Sequence, residues 1–309
     1  MPIERWRSRV ERARDGTLLL TRFAPAPTGC LHLGHVVNAI YVWGIAGVLG
    51  GRVLLRIEDH DAQRSRSEYE AALLDDLDWL GFVPDVFPTP AFRAGRCAGR
   101  QSNRHDLYRA ELTRLAERGL VYGCDCPRRA LESGAYPGTC RDRGLPLMAG
   151  VGWRVRLDHR EEVFVDGLAG KQQQTAAEQC GDVLVRDRLG NWTYQWAVSV
   201  DDTRQAISHV IRGRDLLDST GRQIALARLL GRADPPAFLH HPLVMKSATQ
   251  KLSKSDGDSG VRDLRTRGWS AAAVIGHAAY LLGLRPSDEP LPTAEIGQLF
   301  TTLSKVNLT

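Results

Sequence analysis

Apolar and polar positions in the first hundred residues alternate in a strand–helix–strand rhythm. Thr17–Ala24 (TLLLTRFA) is a short apolar run and predicts a buried strand. A turn, PAPTG, follows it. Leu33–Leu49 then predicts a helix, closed by Gly50 and Gly51, and Arg52–Ile57 (RVLLRI) predicts a second strand. That spacing suits a parallel crossover. In Ser67–Leu80, the residues Leu73, Leu74, Leu77 and Leu80 form one helical stripe, which Gly81 stops. Asn103–Arg118 predicts another helix. Between Cys124 and about Gly181 the periodicity weakens and Gly, Pro and Arg accumulate, as expected of an insertion with a small fold of its own. Strand patterns return at Val183–Arg186, Thr193–Val200, Ile207–Ile211 and Phe238–Val244, with a helix over Gly221–Leu230. From Ser270 the pattern is mainly helical. The expected fold is α/β, a doubly wound parallel sheet interrupted by an insertion and followed by a helical C-terminal segment. The expected division is a split core (17–123 and 183–245), an insertion (124–182), and a final loop and helices (246–309).

Composition narrows the class. The 309 residues are 43% hydrophobic and 25% charged, which excludes a disordered chain. No run approaches the roughly 18 apolar residues of a membrane span. The N-terminus, MPIERWRSRVERARDG, lacks an apolar signal core. A cytoplasmic location without membrane association is expected, and the six cysteines are too sparse for a disulfide scaffold. No apolar patch in the sequence calls for a dimer, so a monomer is expected. The formal charge of +5 permits a nucleic-acid partner without demanding one. The lysines carry more information. There are only five, against 36 arginines, and Lys246, Lys251 and Lys254 are clustered. In this background the cluster suggests that compact ammonium groups are wanted there.

Two local patterns carry chemistry. Pro25-Ala-Pro-Thr-Gly-Cys-Leu-His-Leu-Gly-His35 bridges the first strand and first helix. A helix N-terminus beyond a parallel strand suits phosphate, and Gly34 between His32 and His35 allows a flat ligand close to the backbone. Alone, the pattern also fits two surface histidines in a turn. Lys251-Leu-Ser-Lys-Ser255 puts two ammonium groups three residues apart in a small polar loop. It can neutralise a polyphosphate, or it can be a solvated basic loop.

Together these resemble the HIGH and KMSKS signatures of class I aminoacyl-tRNA synthetases. The glutamyl/glutaminyl branch is resembled by Arg56-Ile-Glu-Asp59 with Arg64, Asp75–Gly81, Gln101-Ser with Arg104 and Tyr108, Thr193-Tyr-Gln195, Asp201-Asp202 and Ile211–Leu216. The resemblance runs in order over roughly residues 18 to 256. It implies a Rossmann-type catalytic core, ATP with Mg²⁺, and phosphate stabilisation by His32, Gly34, His35, Lys254 and Lys251. It places a glutamate ligand along Arg22, Phe23, Ala24, Pro25 and Ala26. The side-chain carboxylate would lie between Arg22 and Arg212 near Tyr194, and Glu58 would hold the ammonium. Guanidinium groups at strand ends suit a carboxylate, although each arginine also fits an ordinary salt bridge.

Cys124, Cys126 and Cys140 lie within a Gly/Pro-rich stretch without a nearby histidine, since His105 and His159 fall outside it. This density suits one structural Zn²⁺, with Tyr136 as fourth ligand, although free thiols in a small core give the same pattern. The C-x-C…Y-x-x-x-C spacing resembles the zinc site of the glutamyl-queuosine tRNA(Asp) synthetase family. Only 54 residues follow Ser255, where the full-length branch adds large anticodon-binding domains. The short family instead esterifies glutamate onto queuosine in the anticodon loop of tRNA(Asp), and that activity is expected here. Two further readings stay open: a minimal glutamyl-tRNA synthetase charging the tRNA 3′ end, and a non-catalytic tRNA-binding paralogue. A nucleotidyltransferase sharing H-x-G-H is disfavoured by the glutamate-type arginines and Tyr194.

Overall fold

In a computed structural model, residues 19–127, 134–244 and 260–303 are described. The core begins with β1 (Leu20–Phe23), α1 (Leu33–Val48) and β2 (Arg52–Leu55). β1 and β2 are parallel, with Leu20 opposite Arg52 and Phe23 opposite Leu55. α1 buries ten of its residues, on every side of the helix. It is apolar all round because it is enclosed, with strands on one flank and C-terminal elements on the other. Gly44 makes that possible: a Cβ there would come within 2.4 Å of the Phe300 ring. The turn after α1 uses Gly50 at φ 63°, and the N–H of Gly51 donates to the Ala46 carbonyl at 2.7 Å.

α2 (Ser67–Leu80) ends at Gly81, at φ 79°. A short α3 (Thr89–Arg93) and a 3₁₀ turn (Gln101–Arg104) lead into α4 (His105–Glu117). Three strands form a small antiparallel sheet in the order β3 (Val121–Cys124), β4 (Gly152–Val155), β7 (Val183–Arg186). Between β4 and β7 lie β5 (Glu161–Asp166), β6 (Gly170–Thr175) and α5 (Ala176–Cys180). α6 (Tyr194–Arg204), β8 (His209–Gly213), a 3₁₀ turn (Arg214–Ser219), α7 (Thr220–Leu229) and β9 (Ala237–His241) complete the core. α8 (Val261–Thr266), α9 (Ala271–Leu281) and a 3₁₀ segment (Thr293–Leu303) follow.

β8 and β9 are parallel, and β9 meets the antiparallel β5–β6 hairpin through Asp166 opposite Phe238. β8 also lies against β1, where the N–H of Ser208 donates to the Leu20 carbonyl at 3.0 Å. The parallel strands therefore meet at β1 and β8, and their carboxyl ends share one crevice. Leu54 and Ile57 bridge in parallel to Val86 and Arg100, which extends the β2 edge.

Two expectations are corrected. Thr193–Val200 does not form a strand; Thr193 caps α6 and the rest belong to it. Trp196, Ala197, Val198, Ser199 and Val200 are buried in succession, so α6 shows no polar stripe that would separate helix from strand. β7 pairs with β4, not with the parallel strands, and the hairpin within the expected insertion joins β9. Lys251, Lys254 and residues 1–16 lie outside the described residues. No described helix is long and apolar enough to cross a membrane. The six cysteines are free thiols.

Candidate active site

The crevice at the strand ends is a cavity of about 630 Å³. Its lining includes Arg22 on β1, Ala24 and Ala26 after it, His32, Gly34 and His35 at the start of α1, Glu58 after β2, Tyr194 at the start of α6, and Arg212 on β8. Most of the residues expected from sequence thus converge from five separate elements. Phe23 does not: it is 1% exposed, packs into the core and tilts against Trp43. Alternation along β1 sends it to the face opposite Arg22. Pro25 is buried, and its carbonyl accepts the N–H of Glu58 at 3.0 Å, tying the two strand ends together.

His32 and His35 form a reciprocal cap on α1. Nδ1 of His32 accepts the N–H of Gly34 at 3.1 Å, and Nδ1 of His35 accepts the N–H of His32 at 3.1 Å. This is capping-box geometry with imidazoles in place of hydroxyl and carboxylate. With Nδ1 accepting, the proton of each neutral ring sits on Nε2, so each presents an Nε2–H donor. The rings lie 4.0 Å apart. Gly34 is required on steric grounds, because a Cβ would sit 2.9 Å from Cε1 of His32.

The amino-acid end holds an ordered charge network. Arg22 donates through Nε to Asp202 at 3.1 Å and through Nη1 to the Ile211 carbonyl at 3.3 Å. Arg56, fully buried, donates to Asp202 at 2.7 Å and to Glu58 at 3.0 Å. Burial would raise the Asp202 pKa, but the Arg22 and Arg56 guanidiniums override it and hold the carboxyl at about 2. Asp201 accepts from Gln101, Arg104 and Tyr108. The acidic pair on α6 therefore braces Arg22 and Arg56 on one side and the 3₁₀ turn on the other.

Arg212 is different. It is 3% exposed, yet its partners are all neutral: His240 Nε2 at 2.9 Å, Gln223 Oε1 at 2.6 Å, Thr220 Oγ1 at 2.9 Å and the Leu216 carbonyl at 3.3 Å. Among the described residues no carboxylate lies within ion-pair distance of it. Burial pulls its pKa down. These contacts leave one Nη1 proton unused. His240 donates from Nδ1 to Asp166 at 2.6 Å, which leaves Nε2 as the acceptor for Arg212. Burial lowers the His240 pKa and keeps the ring neutral. Tyr194, whose pKa is raised by burial and then by Glu58, stays a phenol. Its hydroxyl makes no hydrogen bond among the described residues. The Asp166–His240 support for Arg212 was missed from sequence. Only the register of β8 on β9 brings it together.

The cysteine cluster forms as expected. The sulfurs of Cys124, Cys126 and Cys140 lie within 4.8 Å of one another. Tetrahedral thiolates at 2.3 Å from zinc stand about 3.8 Å apart, so the cluster fits with small adjustment. Tyr136 Oη lies 3.6 Å from Cys124 Sγ and accepts the N–H of Cys140 at 2.8 Å. Arg154 stacks on the Tyr136 ring at 3.7 Å. Burial would raise the Cys124 thiol, but hydrogen bonding from Arg154 and the neighbouring backbone brings it to about 7. Burial and the neighbouring sulfurs push the Cys126 thiol up to about 11, so it is the closeness of the three sulfurs, not a shared low pKa, that suits a thiolate-binding cation.

Residues 18–136 and 151–298 match the family described as tRNA synthetases class I (E and Q), catalytic domain. The chain is 39% identical over 307 residues to the glutamyl-Q tRNA(Asp) synthetase of Symbiobacterium thermophilum, covering 92% of each. It is 36% identical to the glutamate–tRNA ligase of Frankia alni, covering 90% of this chain and 59% of that one. A glutamate tRNA ligase from Elizabethkingia meningosepticum, solved with its amino acid, superposes with a TM-score of 0.72 at 28% identity, over 84% of this chain and 60% of that one.

Proposed function

We propose that this chain, which belongs to the class I tRNA synthetases for glutamate and glutamine and within them to the glutamyl-Q tRNA(Asp) synthetases, activates L-glutamate with ATP and transfers it to queuosine in tRNA(Asp). The observation that carries the choice of amino acid is Arg212. A guanidinium with only neutral partners among the described residues, at the wall of a cavity, calls for an anion from outside the protein. The glutamate side-chain carboxylate supplies it, with the Tyr194 hydroxyl donating beside it. Arg22 contributes from the other side while tied to Asp202. Glu58 receives the ammonium.

In the first step a glutamate α-carboxylate oxygen attacks the α-phosphorus of Mg·ATP. Glutamyl-adenylate forms and pyrophosphate leaves. The Nε2–H groups of His32 and His35, at the N-terminus of α1, donate to phosphate oxygens as charge builds. Lys254, with Lys251, takes the leaving pyrophosphate in this reading; both are outside the described residues. In the second step a hydroxyl of the modified nucleoside attacks the acyl carbon and releases AMP. Zinc held by Cys124, Cys126, Cys140 and Tyr136 would supply a structural cross-link to the insertion and takes no part in the reaction. A single chain supplies every residue named, so a monomer suffices, and a tRNA substrate places the work in the cytoplasm.

The relative from Frankia alni keeps a second reading in view, with the tRNA 3′ end as acceptor. Radiolabelled glutamate, ATP and tRNA from queuosine-containing and queuosine-lacking cells decide between them, followed by nuclease mapping. Label confined to the anticodon loop of queuosine-containing tRNA is expected. Label on the terminal adenosine of both pools overturns the queuosine acceptor. Absence of label with either pool favours a non-catalytic paralogue.

A further inference from the structure

The transfer step needs a proton acceptor, and none of the residues above is free to serve. Glu58 is engaged by Arg56, the histidines of α1 present N–H groups, and Arg212 and Tyr194 are donors. Two further imidazoles line the same cavity. His241 is buried, with Nδ1 donating to the Pro242 carbonyl at 2.8 Å and Nε2 at 3.2 Å from the Asn38 side-chain amide, which leaves His60. His60 stands two residues beyond Glu58, lines the cavity with it, and has its ring 6.3 Å from that of Tyr194. Along this segment exposure rises from Glu58, 8% exposed, through the half-buried His60 to the exposed Arg64 at the cavity mouth. His60 therefore sits where a deeply held amino acid meets an acceptor arriving from solvent.

Its tautomer is set by the protein. Nδ1 of His60 lies 2.6 Å from Oε1 of Gln101. The amide of Gln101 cannot be reversed, because its Nε2 donates at 2.8 Å to the Asp201 carboxylate. Nδ1 must therefore carry the proton, and Nε2 holds a lone pair. Among the described residues Nε2 has no hydrogen-bond partner. The relay Asp201–Gln101–His60 thus orients a basic nitrogen in the cavity, much as a buried acceptor orients a general base elsewhere.

We propose that His60 is the catalytic base of the transfer step, accepting through Nε2 the proton of the tRNA hydroxyl that attacks glutamyl-adenylate. The hydroxyl oxygen bonds to the glutamyl carbonyl carbon. The acyl–phosphate C–O bond breaks, and its electron pair leaves on the AMP phosphate. The proton on Nε2 then passes to solvent or to AMP. The assignment rests on the reaction given above.

The test is single-turnover transfer to queuosine-containing tRNA, with the adenylate formed in the same reaction titrated as the denominator. In His60→Ala the rate per adenylate falls about 100-fold, and added imidazole restores part of it. His60→Gln fills the space without a basic nitrogen and is equally slow with or without imidazole. A rate per adenylate within about threefold of the parent would hand the proton to the adenylate phosphate and overturn the assignment. A loss that imidazole cannot restore in His60→Ala would overturn it too, leaving His60 a placement role. If the parent enzyme makes adenylate but labels no tRNA, the acceptor reading itself fails, and the base assignment with it.

Discussion

Arg212 on β8 and His240 on β9 are register partners in a parallel ladder, and Arg212 Nε donates to His240 Nε2 at 2.9 Å. Asp166, at the end of β5, holds the far nitrogen of the same imidazole at 2.6 Å. The row Asp166–His240–Arg212 crosses three strands. It aims a cation without neutralising it, because the imidazole stands between the two charges.

Removing the middle of that row is predicted to cost substrate affinity. His240→Ala leaves a buried Nε–H without its acceptor, at about 1–3 kcal/mol. The glutamate KM in ATP–pyrophosphate exchange should rise about 10- to 100-fold, with kcat changed much less. Arg212→Lys should be worse still, since an ammonium cannot reach four directions in one plane. A KM within twofold of the parent for His240→Ala would show that Arg212 needs no such support.

Gly34 is predicted to tolerate no side chain. In Gly34→Ala the new Cβ meets Cε1 of His32 at 2.9 Å and Nδ1 at 3.0 Å, so the ring must leave its cap. Loss of a cap costs about 1 kcal/mol of stability. The loss in exchange rate should be larger, about tenfold or more, because both Nε2–H donors are displaced together. A parent-like rate would separate the cap from catalysis.

For the cysteine cluster, metal analysis of purified protein should give about one zinc per chain. Cys126→Ser should lose the metal and lower the melting temperature. A folded parent protein free of zinc would refute the site.

Asp76 supplies a pH test. Its side chain is fully buried, among the described residues neither oxygen accepts a hydrogen bond, and the Arg262 guanidinium stands 3.5 Å away. Burial pushes its pKa up to about 6, against the pull of Arg262 and Arg265. The folded value exceeds the ordinary one near 4, so stability falls as pH rises from about 4 through about 6. Asp76→Asn should therefore be more stable than the parent at pH 7.5 by an amount on the order of 1–3 kcal/mol. The difference should shrink as pH falls and vanish near pH 4. Urea melts at the two pH values check this, and a variant less stable at pH 7.5 contradicts it.

Features that act over a few residues or stand in a local pattern can be read from the chain alone. The strand–helix–strand opening, the Gly81 stop after α2, the pair His32 and His35 around Gly34, and the cysteine cluster were all legible, since periodicity, caps and ligand spacing are short-range. The remaining features come from long-range packing. α6 is a helix because burial on all sides removes the polar stripe that marks one. Arg22 finds Asp202 across 180 residues, and Gln101 turns His60 only because Asp201, 100 residues on, holds its amide. Which strand lies beside which sets these partners, and so does which side chain a low-dielectric interior forces to be paired. Both depend on how distant segments pack against each other.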